Sequence, residues 1–234
     1  MLENQKVIII GGTRGIGLAM AQAALARQAE VIIAGRSQER LNNALQILNH
    51  DHASGYSLDM IHDDLSAFFG KVGSFDHLII AASELVFKPI EEITDEQARS
   101  SFESKFWGPF RLARAALSHL NHGGSITFVS GSAGRRPLPG LELLSAMNGA
   151  LEGFSRSLAV SLANKIRVNT IAPGVTKTPV LDDFSEQQLA QLYQHNIIQR
   201  LGQPEEIAQA AVFLMENGFV TGQTLSVDGG YTLS

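Results

Sequence analysis

Val7-Ile8-Ile9-Ile10-Gly11-Gly12-Thr13-Arg14-Gly15-Ile16-Gly17 is the stretch that decides the fold. Its first four residues are all β-branched and apolar, and a glycine turn follows. Such a short continuous apolar run predicts a strand buried on both faces. From residue 16 to 28 the chain is rich in Ala and Leu, which predicts a helix. A buried strand, a glycine turn and a helix in direct succession open a strand–helix–strand unit.

Working outward, the same alternation recurs. Residues 31–34 and 78–81 read as further buried strands, and 37–49 as a helix with Ser37 at its N-cap. Residues 94–119 read as a helix interrupted at Gly108-Pro109. Residues 125–129, 166–171 and 224–227 read as strands, and 205–216 as a helix. Residues 143–164 form a long helical pattern, with Leu144, Met147, Leu151, Phe154 and Leu158 at three- and four-residue spacing. The alternation predicts an α/β fold: a doubly wound parallel sheet in three layers, α/β/α, as a single domain over 1–234. Right-handed crossovers then put the ligand site at the carboxyl rim of the sheet.

Composition narrows the function. The chain has 234 residues, 44% of them hydrophobic and 18% charged, with a formal net charge of -5. No polybasic footprint for nucleic acid is present. Cysteine is absent, which removes disulfides, thiolate nucleophiles and cysteine-based zinc sites. None of the seven histidines stands in a metal-ligand spacing, so no metal is expected. No apolar run is long enough for a membrane span, and residues 1–6 carry no signal-peptide pattern. A cytoplasmic protein with a small-molecule substrate is the expectation.

The glycine loop predicts a nucleotide. A pyrophosphate must approach the backbone closely, and a helix N-terminus offers it free N–H groups and a positive dipole end. Gly11, Gly15 and Gly17 are spaced Gly-x-x-x-Gly-x-Gly, after a strand and opening a helix. The second strand ends in Gly35-Arg36-Ser37, where an NAD-preferring protein places an acid for the ribose 2′-hydroxyl. Arg36, with Arg14 from the loop, suits a 2′-phosphate instead, so NADP(H) is the expected cofactor.

This glycine spacing resembles the short-chain dehydrogenase/reductase family, a Rossmann-fold family. The likeness extends through Arg167-Val168-Asn169, Ala172-Pro173-Gly174, Arg200-Leu201-Gly202-Gln203-Pro204-Glu205-Glu206, Thr221-Gly222-Gln223 and Val227-Asp228-Gly229-Gly230. The resemblance implies a cofactor site of Gly11, Thr13, Arg14, Gly15, Ile16, Gly17, Arg36, Ser37, Asp59 at the adenine, Ala81, Ala82, and Pro173, Gly174 and Thr178 around the nicotinamide. It also implies a homodimer or homotetramer through the long central helices, on one of which Phe106 and Trp107 lie.

The resemblance further implies a Tyr-x-x-x-Lys pair on one helix face, a Ser and an Asn. Aligned through Leu151-Glu152-Gly153-Phe154-Ser155, this chain has Leu144 at the Tyr position and Asn148 at the Lys position. Gly131 falls at the Ser position and Lys105 at the Asn position, and the Asn-Asn-Ala-Gly segment reads Ile80-Ala81-Ala82-Ser83. Leucine donates no proton, and general acid catalysis contributes roughly 10²–10⁴-fold. The substitutes offered by the sequence are Lys105, as acid or electrostatic clamp, with Ser130, Ser132, Ser145 and Glu142 to orient a substrate. Three functions stay open: an NADP(H)-dependent oxidoreductase with an altered site, a cofactor-binding sensor without turnover, and a structural subunit.

Overall fold

The computed structural model describes residues 2–82 and 88–234. Seven strands form one sheet: β1 (Lys6–Ile10), β2 (Glu30–Gly35), β3 (Ala53–Ser57), β4 (Phe75–Ile80), β5 (Leu120–Val129), β6 (Arg167–Pro173) and β7 (Thr224–Val227). Their order is β3-β2-β1-β4-β5-β6-β7, and every pairing is parallel. The order reverses between β1 and β4, which opens a crevice at their carboxyl ends.

The β-branched run of β1 explains the layering. Val7 and Ile9 point into one core with helix α1 (Gly15–Leu25), α2 (Gln38–Leu48) and, later in the chain, Pro204–Glu216. Ile8 and Ile10 point into the other, against α3 (Leu65–Val72) and the helices Gly108–Ala116 and Glu142–Ser161. All four β1 side chains from Val7 to Ile10 are buried, each burial being worth roughly 1.5–3 kcal/mol.

The remaining helices are α4 (Asp95–Phe102), α5 (Gly108–Ala116), α6 (Glu142–Ser161), α7 (Glu186–Tyr193) and α8 (Pro204–Glu216). Ser37 does cap α2, accepting a hydrogen bond from Arg40 N–H at 3.2 Å. The interruption expected at Gly108-Pro109 begins one turn earlier. Residues Glu103–Trp107 form a π-helical turn, closed by the Gly108 N–H donating to the Glu103 carbonyl. Pro109 has no N–H to offer the carbonyl of Lys105 four residues before it, and its ring crowds that carbonyl, so the helix widens there. β3 and α3 lie outside the sequence expectations. β3 is a polar edge strand, Ala-Ser-Gly-Tyr-Ser, and α3 is short and capped by Asp64, which accepts from Ser66 and Ala67 N–H.

Candidate functional site

The glycine loop is folded tightly on itself. Gly11 has φ +87°, and a β-carbon on it would stand 2.6 Å from the backbone nitrogen of Ala82. One on Gly17 would stand 2.1 Å from the Gly11 carbonyl oxygen. Neither site accepts a side chain, and the loop backbone is left bare at the rim. Helix α1 opens there with Arg14 at its N-cap in an extended conformation, without a side-chain cap and without an acid in its first turn. An uncapped helix start beside a bare loop fits the pyrophosphate of a dinucleotide.

Several of the other expected cofactor positions lie beside that loop. Gly11 N–H donates to the Ala34 carbonyl at 2.8 Å, and Ala81 N–H to the Ile10 carbonyl at 2.9 Å, which puts the ends of β2 and β4 on either side. Arg14 and Arg36 are both exposed at the surface. Thr178 approaches from the far side, its methyl 3.3 Å from where a Gly15 β-carbon would be. Pro173 ends β6 opposite Val227, and Gly174 N–H donates to the Val227 carbonyl at 3.0 Å. Asp59 accepts from the Ile61 N–H at 2.8 Å and meets His62 Nδ1 at 3.1 Å. Partial burial pushes its pKa up, but these hydrogen bonds outweigh that and hold the carboxyl below the usual range. Ser83 lies outside the described residues.

The reaction-site positions also come together, at the carboxyl end of β5. Lys105, on the π-helical turn, is buried. Its ammonium donates to the carbonyls of Val129 at 3.0 Å and Ser130 at 3.2 Å. Among the described residues no carboxylate is paired with it, and burial lowers its pKa to about 8. Gly131 is the next residue along; a β-carbon there would lie 3.0 Å from Asn148 Nδ2, so the Asn148 amide occupies the space beside it. Asn148 is itself buried, and its Oδ1 has no hydrogen-bond partner among the described residues. Leu144 packs with Ala133 and Met147 in a small apolar cluster edged by Phe102, Leu141 and Leu143.

The four candidate orienting groups separate. Ser130 Oγ donates to Glu152 Oε1 at 3.0 Å and lies 3.3 Å from the Ile171 carbonyl, so it is already engaged. Ser132 is buried and opens a short 3-10 turn, Ser132–Gly134. Ser145 Oγ is buried without a hydrogen-bond partner among the described residues. Glu142 is exposed, and its Oε1 accepts from Gly140 N–H at 3.1 Å, which ties it to the loop before α6.

Glu152 and Arg135 were not among the sequence candidates. Glu152 is a buried carboxylate on α6; Arg135 approaches its Oε2 at 3.4 Å and donates to Ser226 Oγ at 3.2 Å. Together they fasten the end of β5 to α6 and β7. The available signal was spacing: 144, 148 and 152 recur every four residues on the inward face of one helix.

Among the described residues there is no cluster of three or more His, Cys, Asp or Glu able to hold a metal, and no helix long and apolar enough to cross a membrane. Comparison with known proteins gives a consistent result. A family model described as enoyl-(acyl carrier protein) reductase matches residues 11–232. The 3-oxoacyl-[acyl-carrier-protein] reductase of Bos taurus is 34% identical, over 97% of this chain and 97% of its own. Carbonyl reductase family member 4 of Danio rerio is 30% identical, over 98% and 99%. Among solved structures, the MalC reductase/Diels-Alderase of Malbranchea aurantiaca superposes with a TM-score of 0.92 at 29% identity, over 100% of this chain and 98% of that one.

Proposed function

The chain belongs to the short-chain dehydrogenase/reductase family, and we propose that it is an NADP(H)-dependent oxidoreductase whose reaction centre works without a tyrosine. The observation that carries this reading is the uncapped start of α1 over the bare glycine loop, with Arg14 and Arg36 exposed beside it. The bound cofactor supplies or takes up a hydride. The chain's residues do the rest. Gly11, Thr13, Gly15, Ile16 and Gly17 line the pyrophosphate site. Arg14, Arg36 and Ser37 bind the 2′-phosphate, Asp59 faces the adenine, and Ala81, Ala82, Pro173, Gly174 and Thr178 hold the nicotinamide half. At the reaction centre Lys105 supplies positive charge or a proton, and Ser132 positions the substrate together with Ser130, whose hydroxyl, its proton directed to Glu152, is left to accept.

A buried ammonium with no carboxylate partner stabilises an oxyanion as it forms. It is less suited to an alcohol–ketone exchange, which leaves a strongly basic alkoxide that needs a proton handed over directly, from an ammonium that already donates to two carbonyls. Activated double bonds conjugated to a carbonyl fit this better, because hydride addition leaves an enolate that solvent can protonate. The name of the matching family model, an enoyl reductase, agrees with that substrate class.

We further propose a homodimer or homotetramer assembled through the π-helical turn with α5, and through α6, where Trp107 is 45% and Val160 78% exposed. A cytoplasmic site suits a chain with no cysteine.

The test is a titration with NADPH and, separately, NADH, followed by cofactor fluorescence. Enones, enoyl thioesters, ketones and quinones are then added to the same sample. NADPH binding with consumption on an enone supports the reading. Binding without consumption on any substrate favours a cofactor-responsive sensor, the second function Leu144 leaves open. Binding of neither cofactor refutes both and leaves a structural subunit.

A further inference from the structure

Gly35 is the last residue of β2, at the position where an acid would favour NAD. A β-carbon built on it would lie 2.9 Å from Thr13 Cγ2 and 3.2 Å from Thr13 Oγ1, whereas Thr13 Cβ is 3.7 Å away. The first is shorter than real β-carbons show, and the second is tight enough that Thr13 would have to give by a few tenths of an ångström. The third is ordinary contact. Two substituents of Thr13 therefore fill the space that any side chain at position 35 must enter.

The backbone on both sides is pinned. The Gly35 carbonyl accepts from Leu58 N–H at 3.1 Å, and the Ala34 carbonyl from Gly11 N–H at 2.8 Å. Gly35 is also in register with Ser57 on β3. On the Thr13 side the neighbouring Gly12 is buried with its backbone against Ile33, where a β-carbon would stand 2.7 Å from Ile33 Cγ2. Relief would have to come from turning the Thr13 side chain. A β-branched residue has two heavy substituents on three staggered positions, and two of those positions face Gly35. Every rotamer thus leaves a methyl or a hydroxyl against position 35. A serine, with one heavy substituent, has a rotamer that clears it.

We infer that Thr13 and Gly35 form one cofactor-discriminating unit, in which the β-branched Thr13 shuts out a carboxylate at position 35. This rests on the NADP(H) reading above and deepens it. That reading assigns preference to what is present, Arg14 and Arg36; the wedge explains why a carboxylate cannot be added beside them. An acid introduced at 35 would be displaced from the ribose 2′-hydroxyl it is meant to bind.

The test compares Gly35→Asp with the double variant Thr13→Ser/Gly35→Asp, measuring NADPH and NADH dissociation constants by fluorescence. Gly35→Asp alone is expected to lose NADPH affinity without gaining NADH affinity. The double variant is expected to bind NADH about tenfold tighter than Gly35→Asp, equivalent to ~1.4 kcal/mol of coupling between the two positions. If Gly35→Asp alone binds NADH as well as the double variant does, the wedge is overturned. A second pair reads the packing without any cofactor. Gly35→Ala is expected to melt below the wild type, and Thr13→Ser/Gly35→Ala to recover most of the loss. An unchanged melting temperature for Gly35→Ala overturns the wedge. Equal wild-type affinity for NADH and NADPH would instead overturn the NADP(H) reading, and the melting pair would still decide the wedge.

Discussion

Lys105→Met replaces a buried ammonium by an apolar chain of similar length, and its effect on stability has a pH signature that the structure fixes. In the folded protein the Lys105 pKa is lowered to about 8 from an ordinary 10.5 by burial. In the unfolded chain it returns to the ordinary value. Between those two values the unfolded chain holds more protons than the folded one, so stability rises with pH across that window. Below pH 8 both states are protonated and the folded one carries the whole cost of the buried charge. A difference of about 2.5 pKa units at ~1.36 kcal/mol each makes that cost about 3 kcal/mol. The methionine carries no charge and so no such dependence. It does leave the Val129 and Ser130 carbonyls without the ammonium that now donates to them, at a cost of roughly 1–3 kcal/mol that does not vary with pH. Urea unfolding of both proteins at several pH values from 7 to 10.5 separates the two effects. Wild-type stability minus variant stability should climb by about 3 kcal/mol from the bottom of that range to the top. A difference that stays level, or falls, refutes the assignment of a charged, desolvated Lys105.

Turnover, if Lys105 supplies the proton or the charge, should fall about tenfold per pH unit above pH 8, where the ammonium is lost; a rate on the best substrate that is flat to pH 10 removes Lys105 from the reaction. His77 gives a second stability signature, of the acid kind. It is buried between Ser125 Oγ at 2.8 Å and Gln5 Oε1 at 2.9 Å, and burial, with the nearby Arg167 cation, lowers its pKa to about 4. Stability should therefore drop by about 3 kcal/mol as pH falls from 6.5 to 4, and His77→Gln should flatten that drop in acid unfolding series. Arg167 donates to the carbonyls of Leu214, Met215 and Val220, closing the end of α8. Arg167→Ala should lower stability by about 2–3 kcal/mol, read from the urea midpoint, while Arg167→Lys recovers only part of it.

The parts of this fold that were legible share one property: their local pattern and their tertiary role agree. Val7 to Ile10 is buried on both faces, and its four apolar residues say so without alternation. Ser37 is both the residue that starts a helix and the side chain that caps it. β3 was illegible because an edge strand with one exposed side carries no apolar run; Ala53 to Ser57 is held by its pairing to β2, which lies far off in sequence. α3 is only eight residues long, and its sign was the Asp64 cap rather than a periodic stripe. The π-helical turn sat one turn before the Gly-Pro pair that causes it, since proline acts on the carbonyl four residues back. In the site, alignment placed Lys105 and Asn148, but no pattern could tell where the Lys105 ammonium would donate. That depends on the end of β5, brought there by the sheet.

The reaction-centre positions are bound to one another by packing, which bears on how the site can act. A serine at 131 would thrust its β-carbon into the Asn148 amide, 3.0 Å away. A tyrosine at 144 would have to open the cluster of Leu144, Ala133 and Met147, and one turn along it would meet a neutral amide rather than an ammonium. The positive charge of the site instead arrives from the opposite helix, on a π-helical turn, held by two carbonyls at the end of β5. Lysine and asparagine have in effect changed sides. A charge approaching from that side acts on whatever lies against Ser130 and Gly131. On the proposed reading no phenol stands between it and the substrate, and its influence is electrostatic first and protolytic second. Because a charge in a desolvated site acts strongly on a developing anion, the substrates that would gain most under the proposed function are those whose reduction leaves charge on oxygen until solvent returns the proton.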